Sequence, residues 1–207
     1  MTFTLMGICV VVWLLQTFVS AITSWVVMTP AVAGIQPWRF FTAPFAHVPG
    51  SLSHIGFNML TLWLMGRYLE PILHARRFLL VYLLSGLGGS IFQVLLADQE
   101  GWYGSSLGAS GAIFGLFGAY MVLAWLTGRS LTSMWVLLGL NVAIAVLFPS
   151  ISWRGHLGGL LVGATTTLAI TWPLLRGRSE HPQRWITLGV VGLAVALMLA
   201  VFLRYTV

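Results

Sequence analysis

Residues 107–127 read LGASGAIFGLFGAYMVLAWLT, a run without a single charge. It is long enough to cross a hydrocarbon core, which takes about 20 residues as a helix. Ser110 lies in its first turns, between Gly108 and Gly111. A lone serine in an apolar helix ordinarily bonds the carbonyl four residues back. Further along, His156 opens a second apolar run over 156–174. If both runs cross a bilayer and both begin at the same face, a hydroxyl and an imidazole share one depth in lipid. Packing does not ask for that, whereas a nucleophile with its base does.

The composition sets the solvent. The 207 residues are 58% hydrophobic and 7% charged, with a mean hydropathy of +0.94. Soluble domains carry roughly 25% charged residues, so this chain has too little polar surface to cover a soluble globule. An all-α polytopic membrane protein follows. The net charge is +6, and every basic residue is arginine. The arginines are scattered between apolar runs, as a topology bias would place them, and no nucleic-acid partner is expected. Cys9 stands alone in an apolar stretch. It allows no internal disulfide and no cysteine-rich metal site, and it reads as a packing thiol. Neither a metal nor another cofactor is expected. The first apolar run has no basic leader and exceeds a signal-peptide core, so it reads as a retained span.

Seven stretches can cross a bilayer, near 4–27, 54–73, 78–97, 107–127, 131–148, 156–174 and 185–204. The segment 29–53 differs. It holds Pro30, Pro37, Pro44 and Pro49, yet also Trp38, Phe40, Phe41 and Phe45. It reads as a loop lying in the interface, where aromatic rings settle. Arg67, Arg76, Arg77, Arg129, Arg176, Arg178 and Arg184 fall on one side, and Arg39, Arg154 and Arg204 on the other. The first side is therefore cytoplasmic. This puts the N-terminus inside and places Ser110 and His156 near the extracytoplasmic face. Arginine without lysine suggests a GC-rich bacterial genome, hence a bacterial plasma membrane.

On this topology the outer ends of spans two, four and six carry the polar residues. His54 and Asn58 share one helical face by their i,i+4 spacing. Read singly, each has an ordinary role: His156 as an interfacial anchor, Asn58 as a stitch between helices. The glycines bear on proximity. Gly111, Gly115 and Gly118 line span four, and Gly155, Gly159 and Gly163 line span six. Small residues at such spacing let two backbones approach, which would bring Ser110 within reach of His156. Tight packing alone would give the same glycines.

Taken together these residues resemble the rhomboid family of intramembrane serine proteases. Gly108-Ala109-Ser110-Gly111 resembles the family's GxSG motif, and His156-Leu157-Gly158-Gly159 with Gly163 its HxxGxxxG helix. His54-Ile55-Gly56-Phe57-Asn58 resembles its HxxxN element, and Trp38-Arg39 with Thr42 its first-loop signature. Gly66 and Glu70 match the end of its second span. The likeness covers about residues 1–175. It implies a bundle of six transmembrane helices there, with 176–207 forming a cytoplasmic connection and an added seventh helix. It also implies a Ser110 nucleophile, a His156 base, and an oxyanion hole of His54, Asn58 and the Ser110 backbone. Phe114 takes a place often held by tyrosine in the family; it could stack on His156 but offers no hydroxyl. The stretch from His47 to His54 is longer than in familiar members, which leaves the role of His47 open.

The chain has only four acids, Glu70, Asp98, Glu100 and Glu180. The first and last fall on the cytoplasmic side, so a Ser-His-Asp triad has no evident third member, and Asp98 is the one remaining candidate. The apolar setting keeps His156 neutral and ready as a base. Ser51, Ser53, His47, His54, Ser105 and Ser106 would keep the outer end wet, with 29–53 and Pro149–Gly155 as lids. The expected partners are the lipid bilayer and the transmembrane helices of substrate proteins. Segments of weak helix formers would be cut best, because a helix hides its amides in internal bonds. A small residue before the cut is implied by the family likeness alone. Three other readings compete: an inactive rhomboid-like protein that binds membrane clients, a polar transport path through His54, Asn58 and His156, and an α/β-hydrolase elbow. The transport path lacks ionisable residues in the inner half. The elbow has Ala112 where its second glycine belongs and no preceding strand.

Overall fold

The computed structural model describes residues 1–147, 152–175 and 182–206. Arg176, Arg178, Glu180 and the Pro149–Ile151 part of the expected second lid lie outside them. Among the described residues every regular element is helical, apart from one isolated bridge between Met28 and Ser106.

The first apolar run is broken. Helix α1 (Thr2–Phe18) stops at Val19, whose φ of −129° and ψ of 93° are extended, and α2 (Ser20–Val26) restarts at once. The segment expected as an interfacial loop holds α3 (Pro30–Ala33), α4 (Arg39–Thr42) and the 3-10 turn η1 (Ala43–Phe45). The second and third runs form one element, α5 (Leu52–Leu95), with a break at His74. There φ is 64° and ψ is 155°, a region that residues other than glycine rarely occupy. Pro71 lies just before the break and removes a helix bond. Each arm of α5 is then long enough to cover about 30 Å. A short helix α6 (Gln99–Tyr103) precedes α7 (Ser110–Leu126). Then come α8 (Thr132–Leu147), α9 (Trp153–Leu175) and α10 (Pro182–Thr206). By length and composition, Leu52–Leu95 and Gln183–Thr206 are long and apolar enough to cross a membrane, and Thr2–Phe18 and Ser110–Leu126 are shorter apolar helices.

The core is built by α5, α7 and α9, which pack on one another more extensively than on any other element. Leu62, Leu69, Phe78, Tyr82, Leu116, Phe117 and Ile170 are fully buried among them. At the narrowest crossings glycine leaves no room for a side chain. A Cβ on Gly159 would strike the carbonyl of Gly111, and one on Gly163 the carbonyl of Gly115. A Cβ on Gly89 would lie 2.9 Å from the carbonyl of Gly155. Backbone therefore rests on backbone along three helices, the arrangement that small-residue faces permit.

The loop between α2 and α5 is firmly tied. Arg39 is buried, and its guanidinium donates to Val27 O at 2.5 Å, Ser24 O at 2.6 Å and Gln36 Oε1 at 2.6 Å. Two of these are carbonyls at the C-terminal end of α2 and its cap, which no other donor meets among the described residues. Thr42 Oγ1 donates to Val26 O at 2.9 Å. Trp38 stacks on Trp25 with centroids 5.6 Å apart and donates to its carbonyl at 3.0 Å. The loop thus folds as a docked unit rather than a slack lid.

Candidate active site

Three helices begin at the same end of the molecule: α5, α7 and α9. Ser110 is the first residue of α7. Its approach is held by two main-chain bonds between Met28 and Ser106, at 2.9 and 2.8 Å, and by Gly108 N donating to Ala43 O at 3.1 Å. Gly108 has φ +132°, a conformation open to glycine. His156 lies in the first turn of α9, and its Nε2 is 2.9 Å from Ser110 Oγ. Phe114 lies one turn after Ser110 and stacks flat on the imidazole, with centroids 4.0 Å apart and planes 10° apart. The phenyl ring therefore fixes the plane of His156 while Ser110 takes its outer nitrogen.

His54 comes from the first turn of α5. Its Nδ1 accepts from Val48 N–H at 3.1 Å, so the neutral ring carries its proton on Nε2. Nε2 faces Gly108: a Cβ there would lie 3.3 Å from His54 Nε2 and 3.5 Å from Ser110 Oγ. The missing side chain of Gly108 thus leaves a small space shared by a donor, a hydroxyl and the start of a helix. Asn58 is placed otherwise. It is buried, and its Nδ2 donates to the His54 carbonyl at 2.9 Å within α5. The cavity of about 360 Å³ over Ser110 is lined by His54, Ser105, Ser106, Gly108 and His156, but not by Asn58.

Asp98 does not meet His156. It pairs at 2.5 Å with Arg154, two residues before His156, and accepts from Gly101 N–H at 2.7 Å. The Gly101 amide first, and then Arg154, hold its carboxyl below the usual carboxylate range. Among the described residues no carboxylate bonds the His156 ring. His47 is not at a wet rim, because it is fully buried in the loop after η1. Its ring packs 5.2 Å from that of His54, and its Nδ1 lies 3.1 Å from Phe45 O. Burial first, and then His54, push its imidazole down to about 4, against the opposing Phe45 bond.

His47 therefore links stability to pH. The unfolded imidazole, near 6.5, takes up a proton more readily than the folded one. Stability is full above about pH 6.5 and falls as pH drops toward 4, by up to about 3 kcal/mol. The melting temperature in detergent should be flat above neutrality and fall below it, and His47→Phe should flatten the acid limb.

A model of the rhomboid domain family matches residues 34–173 of this chain. The chain belongs to the rhomboid family. As a rhomboid it is an integral membrane protein. It is 34% identical over 142 residues to rhomboid protease GluP of Bacillus subtilis, covering 66% of this chain and 26% of that protein. It is 35% identical over 166 residues to the mitochondrial RHOMBOID-like protein 6 of Arabidopsis thaliana, covering 74% of this chain and 52% of the relative. RHOMBOID-like protein 2 of the same plant is 31% identical over 189 residues, covering 79% and 57%. This rhomboid thus spans about a quarter to somewhat over half the length of these relatives. All the motif residues Trp38, Arg39, His54, Asn58, Gly108, Ser110, Gly111, Phe114, His156 and Gly159 fall within the matched span.

Sequence reasoning missed several contributors. Gln93 Nε2 donates to Ser152 Oγ beside the cavity, and Trp13, Gln16 and Thr17 hold the loop before His54. Nothing in the linear pattern marks them, because most of their partners are backbone atoms or lie far along the chain.

Proposed function

We propose that this chain is an intramembrane serine endopeptidase acting through a Ser110–His156 dyad. The observation that carries this reading is the 2.9 Å contact between Oγ and Nε2, with Phe114 stacked behind the ring. Oγ attacks the scissile carbonyl carbon as its proton passes to His156 Nε2. The carbon–nitrogen bond then breaks, and the same proton goes to the leaving amine. Water, deprotonated by His156, hydrolyses the acyl ester and returns Ser110.

The oxyanion forms beside Gly108. The Ser110 N–H, at the start of α7 and without a partner among the described residues, and His54 Nε2–H are its main partners. Asn58 lies one turn along and would reach the oxyanion by releasing the His54 carbonyl, so it is the weaker second side-chain donor. His54→Ala should lower kcat about 100-fold or more, and Asn58→Ala about tenfold, with little change in melting temperature. A large fall in melting temperature for Asn58→Ala, with kcat intact, would make that residue a packing group.

The substrate is a transmembrane helix of another protein that enters from the lipid and is cut where helix formers are weak. A small residue before the cut rests on the family likeness alone. Residues 1–175 form a six-helix core, counting α1 with α2 as one crossing and α5 as two, and 176–207 add the seventh. The N-terminus is cytoplasmic, and the site faces outward in a bacterial plasma membrane.

Incubation with a fluorophosphonate probe and a single-span model substrate tests the reading. Wild type should be labelled and should cleave, and Ser110→Ala should do neither. A wild type that stays unlabelled and inactive leaves an inactive client-binding rhomboid as the better account.

A further inference from the structure

Three side chains of α1 bear on the site without touching it. Trp13, Gln16 and Thr17 share one helical face by their i, i+3, i+4 spacing. Each meets a different backbone group of residues 47–50. Trp13 Nε1–H donates to Val48 O at 3.1 Å. Gln16 Oε1 accepts from His47 N–H at 2.8 Å. Thr17 Oγ1 accepts from Gly50 N–H at 3.1 Å. Their orientations are set in turn: Gln16 Nε2 donates to Thr23 Oγ1 at 3.4 Å, and Thr17 Oγ1 donates to Trp13 O at 2.8 Å. Gln16 is only 1% exposed and is the one amide side chain in α1. Burying an amide costs free energy unless its groups are bonded, so its place there calls for a reason.

The remaining amide of the segment supplies one. Val48 N–H is not used by α1 and donates to His54 Nδ1. With the Val48 carbonyl held by Trp13, and the His47 and Gly50 amides on either side by Gln16 and Thr17, the Val48 N–H has one direction. That direction decides which nitrogen of His54 carries the proton, and hence whether Nε2 gives or accepts over Gly108.

We propose that Gln16, assisted by Trp13 and Thr17, is a positioning residue that fixes His54 as an Nε2–H donor aimed at the oxyanion. The proposal rests on the reading of His54 as an oxyanion donor. Without Gln16 the His47–Gly50 segment shifts, the Val48 amide leaves Nδ1, and the ring samples both tautomers and other angles.

The test is a cycle of Gln16→Leu and His54→Ala, assayed on a single-span substrate in micelles, with ¹⁵N-histidine spectra of each folded variant. Gln16→Leu should lower kcat about tenfold with KM unchanged, and should add nothing in the His54→Ala background. The spectrum should show His54 leaving the single Nε2–H tautomer. A kcat within about twofold of wild type, or an equal loss in both backgrounds, overturns the proposal. Thr17→Val, at an exposed position, is the second variant should Gln16→Leu not fold; it should act in the same direction and with the same dependence on His54. The tautomer readout needs no turnover, so a wild type that fails to cleave defeats the proteolytic reading, while an unchanged His54 spectrum defeats this one.

Discussion

His156→Ala is expected to lower kcat by about 10⁴-fold or more, with KM nearly unchanged, while the protein stays folded. Among the described residues the imidazole is the one base in contact with Ser110 Oγ. Its removal leaves a neutral hydroxyl, a poor nucleophile at any physiological pH. Substrate binding would be spared, because the cavity walls come from Ala43, Pro44, Gly86 and Ala112 as well. The structural loss is the stacked contact with Phe114, about 1 kcal/mol. Ser110→Ala and the double variant should be no worse than His156→Ala alone, because the two groups act as one unit. Initial rates on a single-span substrate, together with circular dichroism, check this. A loss under about tenfold would mean that Ser110 is activated by something other than His156.

Gly159→Val should fail to fold, or should lose more than about 4 kcal/mol. Its Cβ would sit on the Gly111 carbonyl, and backbone cannot rotate aside as a side chain can. Moving α9 outward to make room would also carry His156 away from Ser110, so surviving protein should be inactive. Gly192→Val in α10 is the control, because no atom lies within 4 Å of its Cβ position. It should change stability by no more than about 0.5 kcal/mol. Unfolding in mixed micelles separates the two. Equal stability of both variants would show that the glycine seam is not what holds α7 on α9.

Much of this was legible in the linear chain because lipid makes polar residues conspicuous. Ser110, His156 and His54 interrupt apolar runs at helix starts, and the structure brings all three to one cavity. The glycine spacings on α7 and α9 were legible for the same reason, since contact between backbones leaves only one residue type. The break at Val19 was not, for neither glycine nor proline marks it. The turn at His74 was hidden likewise, a left-handed residue where glycine would be expected. The contacts of Arg39 and Gln16 were hidden because most of their partners are peptide groups, which every residue carries. Asp98 was visible as an acid, but its partner Arg154 was visible only as a topological charge.

The turn at His74 has a further bearing on the site. His74 alone breaks the helix between the two arms of α5, and both arms border the same cavity, so one residue joins them as a tight hairpin. His54 rides on one arm, and Gly89 and Gln93 on the other. Inserting a residue between 74 and 78 would swing the second arm by about 100° about its axis and turn Gly89 away from the Gly155 carbonyl. A change at the far end of the molecule, more than 30 residues from Ser110 in sequence, would thereby spoil the floor beneath it.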